Sequence, residues 1–228
     1  MGWISQYQRP QDLPQSLPLF PLRGTILLPR ATLPLNIFEP RYLAMLDDTL
    51  SGSRLIGIIQ PARAGTTIEA ESPHGKSAPL RSVGCAGRVS TYQELDDGRL
   101  AISLTGICRF DVMSEATTPT DYRVASVGYD RFALDLTEGL GESDVDRAGL
   151  LRVLRTYLDQ NRLDTDWVAI EQASSESLVN ALSIMAPYGA EEKQALLEAR
   201  DLKSRAEVLV ALAEMEIAAS GGSGGTIQ

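Results

Sequence analysis

The chain predicts a segregated α+β fold. Its first 136 residues carry apolar, β-leaning runs broken by proline and glycine. Within them, Asp97-Gly98 separates two strand-like runs, 82–94 and 99–113, in the pattern of a hairpin. At about residue 137 the apolar spacing turns helical and stays so to residue 219. Strands first and helices after imply segregated elements, not the alternation that builds a parallel α/β sheet.

Residues 1–16 are polar with little pattern and read as an extended or flexible arm. Residues 17–46 are apolar yet contain Pro18, Pro21, Pro29, Pro34 and Pro40. Proline cannot donate to a β-ladder, so the strands here must be short, edge-placed or bulged. Pro40 suits a first helical turn, and Glu39 puts negative charge at the positive end of the helix dipole. Tyr42, Leu43, Met45, Leu46 and Leu50 then recur at helical spacing, and Gly52 closes the helix. Residues 54–60 form a short strand of the buried type. Residues 61–80, which contain the single histidine His74, have no periodic apolar face and read as a long loop.

If Asp96-Asp97-Gly98 makes the hairpin turn, facing residue numbers sum to about 194. Cys85 and Cys108 then lie opposite or diagonal on one face, as buried thiols rather than a disulfide framework. Gly106, inside the second run, marks a bulge or sharp bend. A further strand runs from Tyr122 to about Arg131.

Val145, Leu150, Leu151, Leu154 and Leu158 follow the capping candidates Ser143 and Asp144. A connection at 161–165 leads to a segment 166–172 with Trp167 and Ile170 as core anchors. Ser174 or Ser175 caps a helix through Leu178, Leu182 and Met185, stopped by Pro187 and Gly189. The last helices lie near 191–199 and 203–219, the second capped by Asp201. The predicted organisation is an arm at 1–16, a β subdomain at 17–136, a helical subdomain at 137–219 and a Gly/Ser-rich flexible tail at 220–228.

Net charge is −9, unevenly placed: residues 1–140 hold 15 acids and 13 bases, and 141–228 hold 15 acids and 8 bases. Without a basic stripe, nucleic-acid binding lacks its main driving force. No apolar run reaches the length of a membrane span, and the N-terminal residues lack a signal-peptide pattern, so a cytoplasmic protein is expected.

Pro18-Leu19-Phe20-Pro21-Leu22, Leu33-Pro34-Leu35 and Phe38-Glu39-Pro40-Arg41-Tyr42 stand in an order and spacing that resembles the N-terminal, substrate-binding domain of Lon proteases. Val83-Gly84, Asp97-Gly98-Arg99, Gly106 and Arg109-Phe110 extend the resemblance through the hairpin. It implies a small closed β-barrel of PUA-like type with one helix, followed by a helical bundle. One departure is Arg30, which stands where that family commonly has glycine. The resemblance also implies a module that binds unfolded or apolar polypeptide segments or client proteins, with a protease or chaperone as candidate partner. A second reading is a protein–protein adaptor or oligomeric scaffold.

No catalytic machinery is legible. The phosphate-cradling Gly-x-x-x-x-Gly-Lys-Ser/Thr motif is absent, so a stand-alone domain without ATPase or peptidase is expected. The only lysines are Lys76 in the polar loop and Lys193 and Lys203 in charged helical segments, poor settings for the desolvated lysine of a Ser–Lys dyad. A lone histidine supplies neither a metal set nor a triad. The expectation is no enzyme, no cofactor and no metal. The candidate peptide-binding residues are Phe38, Glu39, Arg41, Tyr42 and Arg109. Glu39 and Arg41 read either as a rim for a peptide backbone or carboxylate, or as a brace at the helix start. Phe38 and Tyr42 read first as core anchors, and Arg109 as a strand-closing residue.

Overall fold

The computed structural model describes residues 6–62, 78–96, 98–161 and 165–222. Most of the 61–80 loop, including His74 and Lys76, lies outside the described residues, as do Asp97, 162–164 and 223–228. The chain separates into two compact units: Met1–Glu138 with Tyr188–Leu197, and Gly139–Pro187 with Glu198–Gln228.

The first unit is built on one mixed sheet of six strands: β1 (Ser16–Pro21), β2 (Thr32–Ile37), β3 (Leu55–Pro61), β4 (Leu80–Glu94), β5 (Leu100–Ala116) and β6 (Arg123–Gly128). Their order is β2-β5-β4-β3-β1-β6, and β6 also pairs with β5. The pairings therefore run β5–β4–β3–β1–β6 and back to β5, with β2 attached outside that circuit. Among the described residues β1 with β3 is the one parallel pair, and every other pair is antiparallel.

The prolines sort as their chemistry requires. β1 has strands on both sides, and it tolerates Pro18 opposite Val124 and Pro21 opposite Ile59 within six residues. β2, with Pro34, is an edge strand, hydrogen-bonded among the described residues to β5 alone.

The β4–β5 hairpin keeps the expected register at its tip, where Glu94 faces Leu100 and Tyr92 faces Ile102. Ser90 is an extra residue on β4 and shifts the pairing by one; Ile107 is an extra residue on β5 and shifts it back. Gly84 consequently faces Phe110, Cys85 faces Arg109 and Ala86 faces Cys108. The two cysteines, free and buried, are thus one step out of a facing pair and fall on alternate sides of the pleat, not on the single face expected. Burial pushes the Cys108 thiol far up, so it is held as the thiol.

Gly106 lies beside the second bulge, as its sequence position predicts. There the turn at 28–31 crosses the strand: Arg30 N–H donates to the Gly106 carbonyl at 2.8 Å, and Gly106 N–H donates to Ala31 O at 2.9 Å. A Cβ on Gly106 would lie 2.0 Å from the Leu28 carbonyl oxygen. Arg30 takes a left-handed φ of 63° in this turn, which explains why glycine suits the position.

The core of the unit gathers Leu17, Leu19, Ile58 and Phe110. The Phe110 ring fits only because Gly57 and Gly84 carry no side chain; a Cβ on Gly84 would come within 2.5 Å of it. Helix α1 (Pro40–Ser51) buries Tyr42, Met45, Leu46 and Thr49. Residues 6–16 pack against the strands, with Tyr7 and Leu13 buried and the Tyr129 hydroxyl donating to Pro14 O at 2.9 Å.

The second unit contains α2 (Arg147–Asn161), α3 (Trp167–Gln172), α4 (Ser175–Met185) and α6 (Leu202–Gly222), with α6 packed on α2 and α4. The caps are side-chain oxygens accepting orphan N–H groups: Asp166 from Ala169, Ser174 from Ser177, and Asp201 from Ser204. At α2 the cap is Asp146, which accepts from Gly149 N–H at 2.9 Å, while Glu142–Asp144 make a 3-10 turn before it. Trp167 and Ile170 are half-buried rather than core anchors, and Arg155 stacks 4.5 Å above the Trp167 ring.

Helix α5 (Ala190–Glu198) groups over 190–197 with the strands, although the sequence places it in the helical segment. Buried amides explain this. Gln60 donates to Ala190 O at 2.9 Å and to Gln194 Oε1 at 3.0 Å, and Gln194 donates to Val83 O at 3.2 Å. Arg81 and Glu191 form an ion pair alongside.

Candidate functional site

Four of the five candidate residues sit together where β2 ends and α1 begins. Tyr42 is 4% exposed; its ring lies 4.3 Å from that of Phe20, which anchors the first turn of α1 on β1. Arg41 donates through Nε and Nη2 to Glu39 Oε2, at 3.0 and 2.8 Å, and its guanidinium lies 4.6 Å over the Tyr42 ring. Glu39 occupies the N-cap position without a side-chain cap bond, so it acts by charge and by gripping Arg41. Phe38 does the opposite of a core anchor: it is 61% exposed. The chain leaves β2 at Ile37, which is buried, and strand alternation turns the next side chain outward.

Phe38 stands at the end of the open edge of β2. Along this edge the burial alternates: Leu33 and Ile37 are buried, Leu35 is half-buried, and Thr32, Pro34 and Asn36 are exposed. Leu35 and Tyr92 both face Ile102, one from each side, so Tyr92, also 60% exposed, lies in the same cross-strand row. Tyr92 carried no signal in the sequence beyond its place in the hairpin arm, because only the register shows which row it joins.

Arg109 is elsewhere. Ile37 faces Leu100, nine positions along β5 from Arg109, or about 30 Å of strand. Arg109 is 3% exposed and donates Nε and Nη2 to the two oxygens of Asp135, both at 2.8 Å. Its Nη1 donates to Leu197 O at 2.9 Å, its backbone N–H to Asp135 at 3.0 Å, and its guanidinium stacks 4.4 Å from the Phe132 ring. This fork ties β5, the 3-10 segment Asp130–Leu136 and the end of α5 together. Asp135 was not legible as its partner, since nothing local links residues 26 apart.

Lys193 also departs from expectation. It is 3% exposed rather than solvated, and burial pushes its ammonium down to about 8. Lys203, in contrast, is exposed. Among the described residues no group of three or more His, Cys, Asp and Glu could hold a metal ion, and no helix is long and apolar enough to cross a membrane.

The model of the ATP-dependent protease La (LON) substrate-binding domain matches residues 16–214. Lon protease of Flavobacterium johnsoniae is 26% identical over 204 residues, covering 86% of this chain and 23% of its own. Lon protease 2 of Sorangium cellulosum is 28% identical over 204 residues, covering 86% and 24%. The chain thus spans about a quarter of the length of these relatives. Among solved structures, the Lon N-terminal domain protein of Xanthomonas campestris aligns with a TM-score of 0.57 at 23% identity, over 86% of this chain and 97% of that one. The N-terminal domain of Mycobacterium avium complex Lon protease aligns at 0.60 and 18% identity, over 87% and 98%. At these identities the structures speak for the fold.

Proposed function

Because the chain belongs to the family of Lon substrate-binding domains, we propose that it is a non-catalytic module that recognises polypeptide segments by strand addition at β2. The observation that carries this reading is the six-residue edge Thr32–Ile37, paired on one side only among the described residues and ending at the exposed Phe38. An extended peptide gains affinity from main-chain hydrogen bonds to such an edge and selectivity from alternate side chains. Here Phe38 supplies aromatic surface for an apolar client segment, while Pro34 withholds one donor and limits the pairing. Glu39, Arg41 and Tyr42 fix the angle at which Phe38 is presented. Arg109 acts as a brace.

The same reading takes the circuit of strand pairings as a small barrel of PUA-like type and the helices of the second unit as a bundle. It places the protein in the cytoplasm, with a protease or chaperone as the partner that uses the bound segment. The test is fluorescence anisotropy of labelled extended peptides with alternating apolar residues, titrated with the full chain. Micromolar binding, weakened at least tenfold by Phe38→Ser with an unchanged thermal midpoint, is expected. Binding to one folded partner but to no peptide would replace this reading with that of an adaptor.

A further inference from the structure

The second unit carries a groove of about 270 Å³ between the start of α2 and one face of α6. Its floor is apolar, formed by Leu150, Ala206 and Val210, and Gly149 keeps the α2 wall low. Positions 203, 206, 207, 210 and 214 follow one another at helical spacing, so a single stripe of α6 supplies both floor and rim. The rim is acidic: Asp144 and Asp146 at one end, Glu207 and Glu214 along α6, against Arg152 and Lys203. Lys203 meets Glu207 only at 3.9 Å, both side chains largely exposed, and such a pair holds its members weakly.

We propose that this groove docks a basic peptide segment of a partner polypeptide, one or two apolar side chains entering the floor and flanking Lys or Arg meeting the rim. Several observations select that occupant. The rim has two more negative than positive groups, within a half of the chain that holds 15 acids and 8 bases. Charge of one sign around an apolar floor selects the opposite sign and accelerates encounter. A second copy of this chain, itself at −9, would bring its own acidic rim against this one in a two-fold contact. An anionic membrane is disfavoured for the same reason. This site is separate from the β2 edge and does not rest on strand addition.

The experiment titrates the full chain into three labelled dodecapeptides at 50 mM salt. In the first, Leu pairs are flanked by Lys; in the second, Glu replaces Lys; in the third, Ser replaces Leu. The first is expected to bind at least tenfold more tightly than either of the others. The double variant Glu207→Lys/Glu214→Lys is expected to abolish that preference, and Glu207→Gln/Glu214→Gln to weaken it several-fold, with unchanged helical circular dichroism. Phe38→Ser is expected to leave this binding intact, which separates it from the edge-strand site. Equal binding of the Lys and Glu peptides, retention of affinity when Ser replaces Leu, or indifference to both double variants would overturn the proposal. So would a dimer that the Lys peptide dissociates, since the groove would then belong to a second copy.

Discussion

Replacing Arg109 by Met tests whether this side chain braces the fold or serves a ligand. The substitution keeps most of the apolar stem and removes the guanidinium. The donations lost include two at 2.8 Å to the Asp135 carboxylate and one at 2.9 Å to Leu197 O. The pair is nearly dry, with side-chain exposures of 4% and 10%. Removing one member of a buried pair costs about 3–5 kcal/mol, because the other charge stays buried without its partner. Asp135 keeps the Arg109 backbone N–H at 3.0 Å, which places the expected loss in the lower part of that range, at about 3–4 kcal/mol. Against a total stability of about 5–15 kcal/mol, such a loss is readily measured by urea titration of the β-sheet circular dichroism signal. Arg109→Lys keeps the charge but lacks the planar fork, and should fall between wild type and Met. Adding Asp135→Leu to Arg109→Met should cost less than the sum of the single changes, since the stranded charge is gone. A loss below about 1 kcal/mol for Arg109→Met, or strict additivity in the cycle, would refute the brace. Loss of peptide binding at unchanged stability would instead give Arg109 a ligand.

Gly106→Ala drives a methyl group into the Leu28 carbonyl at 2.0 Å, a backbone atom that cannot swing away, and should destabilise by about 3 kcal/mol or more in the same titration. Asp201, held down to about 2 chiefly by hydrogen bonds from Ser204, contributes stability that is full above its ordinary 3.8 and fades as pH falls toward 2. Asp201→Ala should therefore cost about 1 kcal/mol at pH 7 and lose that difference in melts near pH 2. Lys193 has the opposite sign: its folded value of about 8 lies below 10.5, so stability should rise with pH between the two as the unfolded chain alone holds the proton. Lys193→Met should flatten that rise in thermal melts at pH 7, 8.5 and 10; an unchanged slope would count against burial as its cause.

Local chemistry was enough for much of the fold. Ser174 and Asp201 cap their helices as short side chains before apolar periodic runs do, because a cap needs only the next three residues. The hairpin register at Glu94 and Leu100 follows from the turn alone, and a glycine inside a strand marks the neighbourhood of the second bulge, although the Leu28 carbonyl that excludes a side chain there comes from a distant turn. The Phe38–Tyr42 motif was legible as a unit, but the exposure of Phe38 was not. Whether that ring is covered depends on what packs on the β2 edge, and no sequence pattern specifies this. Distance in sequence hid the rest. The two bulges cancel, so the tip register returns at the cysteines: Cys85 faces Arg109 and Ala86 faces Cys108, and a one-residue offset is enough to set the two thiols on opposite sides of the pleat. Charge and periodicity assigned α5 and Lys193 to a solvated helical segment. Gln60 and Val83, more than 100 residues earlier, hold α5 against the strands, and Lys193 is buried in the folded chain. Short-range hydrogen bonds and turn geometry are written in neighbouring residues, whereas burial is set by whichever distant segment arrives to exclude water.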